Sequence, residues 1–459
     1  MRNSLKHLTT ATLILCIAPG WSVAQKPVVP VRVADLNPNG GCDPDELTTS
    51  GAGNSLVYFT ARIPQVNQPP LCRIYATDGT ANGTRIIESH SYYPHILQAN
   101  SSAIAYTVPE YVSAENNDLV LLNHASNNKA VYRYGDIPNM MTSGARLNGD
   151  KLYMGASARN NPEAATEPYV FSSTGGTMTL LKNINTQSGY GSHPYGFTSL
   201  GSRMVFNAST EAYGSELWIT DGTAAGTVMV KDLFPGATGS GPSGFTTSGS
   251  NSFFVAENST GNKELWVTNG TTAGTSKLKE INPSTTVGST PQELTAHNGK
   301  LFFTADNGTN GRELWVSNGT AAGTTMVKDI HASGSANPRN LVVYNGLIWF
   351  FATDGVLAAQ HLYSSDGTAA GTTKRITLAK GTEGGQLTVC NGKLFYVTRS
   401  STTSKMWRTD GTGAGTQQVI PSLAGNVNPI PNRRMAVMNN WLYFNADFDA
   451  SGAELWKVQ

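Results

Sequence analysis

The sequence predicts an all-β protein, a β-propeller built of four-stranded blades. Three observations carry this. A twelve-residue string recurs along the chain, with copies starting at Glu216, Glu264, Glu313, His361 and Lys405 and a truncated copy at Glu454, spaced by 48, 49, 48, 44 and 49 residues. Each unit holds four short β-type runs separated by Asn-Gly, Asp-Gly or other Gly-rich turns, the pattern of successive hairpins. One run per unit is apolar at consecutive positions, so both faces of its sheet are buried, as happens when a blade is sandwiched between two others. A period in the forties with four strands per unit fits a propeller, whereas solenoids of other kinds repeat at shorter periods.

Taken in order, the first element is not a blade. Arg2, Lys6 and His7 precede the apolar stretch Leu8–Ala18, and Ser22-Val23-Ala24 offers small residues for cleavage. Residues 1–24 therefore read as a secretory signal peptide, and 25–459 as a single propeller domain. The apolar stretch is too short to span a bilayer. Next comes Val31–Leu36, which looks like the last strand of a unit placed before the first unit. The units then follow, each with strands a to d. In the unit around Glu313 these are ELTAHNG from Glu293, KLFFTA from Lys300, ELWVSNGT and TMVKDI from Thr325. Weaker copies of the third strand start at Arg73, Asp118 and Glu167, which makes nine units. The ninth stops after its c strand, at ELWKVQ. An N-terminal outer strand that completes this blade closes the ring and removes an open edge. Nine blades exceed the usual range of four to eight. The alternative is eight, with residues 90–140 forming something else.

The 459 residues carry 32 Lys and Arg against 31 Asp and Glu, for a net charge of +1, and charged residues make up only 14%. This balance excludes a nucleic-acid binder or an anionic-membrane binder, both of which need a basic surplus. Four cysteines are present, one of them (Cys16) within the signal. Cys42 and Cys72, both in connections at one end of blade one, are expected to form a disulfide closing a loop of about 30 residues. Cys390 is expected to remain a buried thiol. No CxxC and no Cys/His cluster with zinc spacing occurs.

These strings resemble the ELWxxDGT-repeat family of exported bacterial proteins. The motif stands almost intact at Glu216–Thr223, and carries Asn269 and Asn318 in place of Asp in the next two copies. The resemblance implies a secreted, periplasmic or surface location and a propeller-like architecture. It implies no enzymatic activity and transfers no catalytic residue.

Candidate chemistry is sparse. Trp218, Trp266, Trp315, Trp407 and Trp456, with Tyr75, Tyr169 and Tyr363 in the same place, read as packing positions between blades rather than a sugar-stacking series. The Asp/Asn-Gly-Thr turns at Asp78, Asp221, Asn269, Asn318, Asp366 and Asp410 read as self-capped turns rather than cation sites. Asp447, Asp449 and Ser451, followed by Gly452, resemble the start of a calcium loop, although Glu454 comes too early for an EF-hand. No other cofactor is implied. The GxGxxG at Gly239–Gly244 contains Pro242 and opens no helix, so it fails as a dinucleotide site. No Walker loop, HExxH or GxSxG elbow occurs.

Variability within the chain singles out one face. Turns between a and b and between c and d are nearly the same in every unit, while the d-to-a and b-to-c loops differ. Binding residues concentrate on such loops. The candidates are Tyr92, Tyr93, His95, Tyr190, His193 and Tyr195. The expected function is non-enzymatic: an exported propeller, monomeric, that presents this loop face to a protein or a glycan. The alternatives are a hydrolase or lyase using the central channel, and a purely structural envelope component.

Overall fold

The structure, a computed structural model, describes residues 28–37, 40–51, 55–109, 117–159, 165–187, 189–284, 286–356, 358–401, 404–419, 435–447 and 452–459. They form nine antiparallel four-stranded sheets arranged as a nine-bladed β-propeller. Strands are lettered a to d from the channel outward. The a strands, which neighbour one another around the axis, are Asp45–Thr49, His95–Ala99, Asn139–Asn148, Tyr195–Leu200, Ser243–Ser248, Gln292–His297, Arg339–Tyr344, Glu383–Cys390 and Ala436–Met438. The stretch on which the eight-blade alternative rested is a full second blade, of His95–Ala99, Ala103–Pro109, Asn117–Asn123 and Lys129–Tyr132. No described helix is long and apolar enough to cross a membrane.

The b strands are buried on both faces, as their unbroken apolar runs require: in Lys300–Asp306 the five residues from Leu301 to Ala305 are all buried. Nine apolar clusters result, each drawn from two neighbouring blades. Between blades five and six, for example, Phe253 and Leu265 pack with Leu301, Phe303 and Trp315. Trp218, Trp266 and Trp315 each turn towards the preceding blade, so this aromatic position serves packing.

Polar contacts stitch the same interfaces at two radii. At the outer edge, a lysine at or just past the end of the d strand donates to a turn carbonyl of the next blade: Lys182 to Thr227, Lys231 to Thr275, Lys279 to Thr324 and Lys328 to Thr372, at 2.9–3.1 Å. At the inner edge most a strands carry a β-bulge whose residue is left-handed. That residue is glycine at Gly196 and Gly244, but Glu46 (φ 51°), Glu293 (φ 58°), Asn340 (φ 55°) and Gln386 (φ 54°) elsewhere. Positive φ is uncommon in non-glycine residues. Two of these side chains reach the next blade: the Ile96 N–H donates to Glu46 Oε2 at 2.7 Å and the Leu341 N–H to Glu293 Oε2 at 3.4 Å.

The ring closes as the sequence predicts. Val31 pairs with Lys457 and Arg32 with Trp456, and the Val33 N–H donates to the Leu455 carbonyl at 2.9 Å. The ninth blade is therefore three C-terminal strands and one N-terminal strand.

The expected Cys42–Cys72 disulfide is absent, and both cysteines are buried free thiols. They lie at the same end of blade one but on opposite faces of its sheet. Cys42 belongs to the cluster facing blade nine and donates to Glu454 Oε2 at 3.1 Å. Cys72 shares its strand face with Ile74 and Ala76, which pack towards blade two. Cys390 is a buried thiol.

Candidate functional site

The two ends of the ring differ in construction. At one end lie the c-to-d turns. In blade four, Asp221 Oδ1 accepts from the Thr223 N–H and hydroxyl at 2.9 and 2.7 Å, and Thr223 Oγ1 accepts from the Gly226 N–H at 3.0 Å. The hydroxyls of Thr220 and Thr227 close the turn at 2.7 Å. Asp78, Asn269, Asn318, Asp366 and Asp410 repeat the arrangement. Oδ1 of each is spent on its own turn, and the threonine donors hold Asp78, Asp221, Asp366 and Asp410 below the usual carboxylate range.

At the other end, in blades three to six, a buried glutamate anchors the loop that enters the next blade. Glu216 accepts from the N–H groups of Leu233, Phe234 and Ser240 and from the Ser240 hydroxyl. Glu167 and Glu264 do the same, each ending on a serine, Ser192 or Ser289. Glu313 accepts from Ile330, His331 and Ala336. Burial pushes these carboxyls up, to about 7 for Glu313 and Glu454, against the pull of their N–H donors. The b-to-c loops lie against the anchored loops, as where the His193 N–H donates to the Thr166 carbonyl.

On this loop face, between blades two and three, lies a recess of about 680 Å³. Its walls include His95, Thr107, Tyr134, Asn139, Met140 and Met141. Flexible thioethers beside carboxamide and hydroxyl groups suit an adaptable, mixed-polarity ligand. His95 Nδ1 lies 2.7 Å from Glu46 Oε1, which raises the imidazole pKa. Tyr93 packs edge-on against His95 and carries the Arg62 guanidinium over its ring.

The six predicted residues fall into two groups, one at the entry to blade two and one at the entry to blade four. Tyr92 and Tyr93 lie in the loop joining blades one and two, and His95 opens the a strand of blade two and lines the recess. Tyr190, His193 and Tyr195 lie between blades three and four and do not line it. Tyr92 and Tyr190 are exposed, at 37% and 60%. Two of the rings are tied to the scaffold: the Tyr93 hydroxyl meets Thr60 Oγ1 at 2.6 Å, and the Tyr195 hydroxyl accepts from Asn207 Nδ2 at 2.7 Å. Of the calcium candidates, Asp449 and Ser451 lie outside the described residues. No group of three or more His, Cys, Asp or Glu suited to a metal occurs among the described ones. Asn139, Tyr134 and the Met140-Met141 pair were not foreseen. The signal for them, an unusually Met-rich a strand, was present in the sequence.

No family model and no curated protein matches the chain. Among solved structures, the β-propeller domain of the Trilobed protease from Pyrococcus furiosus is similar over 84% of this chain and 99% of its own, at 11% identity and a TM-score of 0.40. Puromycin hydrolase is similar over 93% of this chain and 63% of its own, at 15% identity and a TM-score of 0.42. A prolyl endopeptidase is similar over 78% of this chain and 55% of its own, at 8% identity and a TM-score of 0.40. This chain thus spans less than two thirds of either peptidase, and the likeness concerns the fold alone.

Proposed function

We propose that the protein is an exported, non-enzymatic propeller that presents its loop face to a protein or glycan outside the cytoplasm. Export behind residues 1–24 and kinship with the ELWxxDGT-repeat proteins belong to the same reading. The observation that supports it is the contrast between the two ends. At one end six blades repeat the same turn, bonded within itself through one side-chain oxygen. The other combines anchored loops of unequal content with a sizeable recess and exposed Tyr92, His95 and Tyr190. Tyrosine offers large contact area at low entropy cost.

The test is a glycan and surface-protein binding screen with residues 25–459. His95→Ala and Tyr92→Ala should each weaken the ligand found by roughly tenfold, the cost of losing one good anchor. Asp221→Ala on the opposite end should leave binding unchanged. The reverse pattern would assign the wrong face.

A further inference from the structure

A second recess opens on the same face, between the a strands of blades seven and eight. It measures about 230 Å³ and is lined by Arg339, Asn340, Gly384, Gly385, Gln386 and Arg399, with Glu383 at its edge and Val397 as its apolar wall. We propose that this recess is a carboxylate subsite that takes a single uronate residue of an acidic polysaccharide.

Four observations carry the assignment. First, Arg339 Nε is buried without a hydrogen-bond partner, a costly state that an incoming acceptor would relieve. Second, the carboxylate facing Nη2, which forms one donor fork with Nε, is weakly placed. Arg339 Nη2 donates to the Gly384 carbonyl at 3.0 Å and approaches Glu383 Oε2 only at 3.4 Å, and the Glu383 side chain is 69% exposed. A ligand carboxylate can replace Glu383 at the guanidinium fork, which prefers paired N–H···O contacts. Third, Arg399 sits directly across the strand pair from Glu383. The equivalent position is acidic in blades five, six and nine, at Glu257, Asp306 and Asp447, and basic only here and at Arg62 of blade one. The described lining thus holds two guanidinium groups and one carboxylate.

Fourth, the remaining lining suits a sugar. Asn340 and Gln386 are the left-handed bulge residues of their strands. Their carboxamides offer donors and acceptors together, which neighbouring hydroxyls require. The floor at Gly385 is open, since an added Cβ there would meet only Asn340 Oδ1, at 3.5 Å. The volume is below that of sites for drug-sized ligands and matches one ring rather than a chain segment.

The inference rests on the loop face being a binding face. Calorimetric titration of residues 25–459 with a galacturonate oligomer, at low salt, tests it. The methyl-esterified oligomer, which keeps the sugar and loses the charge, is the first control, and poly-glutamate is the second. The acidic oligomer should bind saturably and the other two should not. Arg339→Gln and Arg399→Gln should each weaken binding by roughly tenfold or more. Glu383→Gln should tighten it by removing the internal competitor. Should Arg339→Gln lower the melting temperature through loss of the Gly384 contact, Arg399→Gln and Glu383→Gln decide. Equal binding of the ester, indifference to both arginine variants, or no binding of the acidic oligomer would overturn the proposal. Equal binding of poly-glutamate would replace the sugar with an acidic peptide. If a ligand sensitive to His95→Ala is found while uronate fails, only this inference falls. If no ligand engages the loop face at all, the broader reading falls with it.

Discussion

Glu216 is fully buried, and its carboxylate gathers three backbone N–H groups that lie 17 to 24 positions further along the chain. Removing it strands those donors inside the protein. Glu216→Ala should therefore cost about 3 kcal/mol, read as a lower urea midpoint, since each buried unmet donor is expensive. The same position predicts a pH dependence. Burial raises Glu313 and Glu454 from an ordinary 4.5 to about 7. Their protonated forms thus favour the folded state. This share of stability is fully present below about pH 4.5 and is lost as the pH rises through about 7. Thermal unfolding at pH 5 and pH 7.5 should show a smaller drop in Glu313→Gln than in the unaltered protein. The recurrence of this glutamate was legible in the sequence, but its task was not, because its partners are main-chain atoms with no residue identity to recur. The disulfide reading failed for a related reason. Cys42 and Cys72 are near one another along the end of the blade, but which face of the sheet each thiol takes depends on the conformation of the loop carrying Cys42.

Elements show the same division. The Gly-Thr-x-x-Gly-Thr string was readable as a turn, and the structure adds why its second glycine is obligatory. A Cβ on Gly226 would lie 2.0 Å from Asp221 Oδ1, the atom that holds the turn together. Gly226→Ala should lower stability by about 1–3 kcal/mol, the usual range for overpacking. Asp221→Ala removes the obstruction along with the cap. In a double-mutant cycle the two losses should sum to more than the double variant shows. Strict additivity in denaturant melts would mean that the turn relaxes elsewhere. The bulges of the a strands went unseen, because Glu46, Glu293, Asn340 and Gln386 do not look like left-handed positions. A signal existed: each of them, like Gly196 and Gly244, is followed by Leu or Phe and stands at the same place in its repeat.

At the scale of the whole molecule, repeat counting reached the blade number and the closure, because each blade carries its own copy of the interface chemistry. The recesses were beyond it, since they arise where neighbouring a strands differ from one another. Deletion of residues 25–36 should expose the edge of Glu454–Val458. The melting temperature should fall by several degrees or more, and light scattering should detect association through the bare strand. An unchanged midpoint in a monomeric sample would contradict the role of the N-terminal strand. The closure also orders events in time. Cys42 and Glu454, which touch across the seam, are 412 positions apart. During synthesis the first strand made must wait for the last one, and every shorter nascent chain is an open arc. Native-like blades can accumulate early, since each is local, but the seam bears the loop-closure entropy of nearly the whole ring. The final zipping of a few residues thus acts as a check on the ring, passed only when the strands on both sides of the seam have been made.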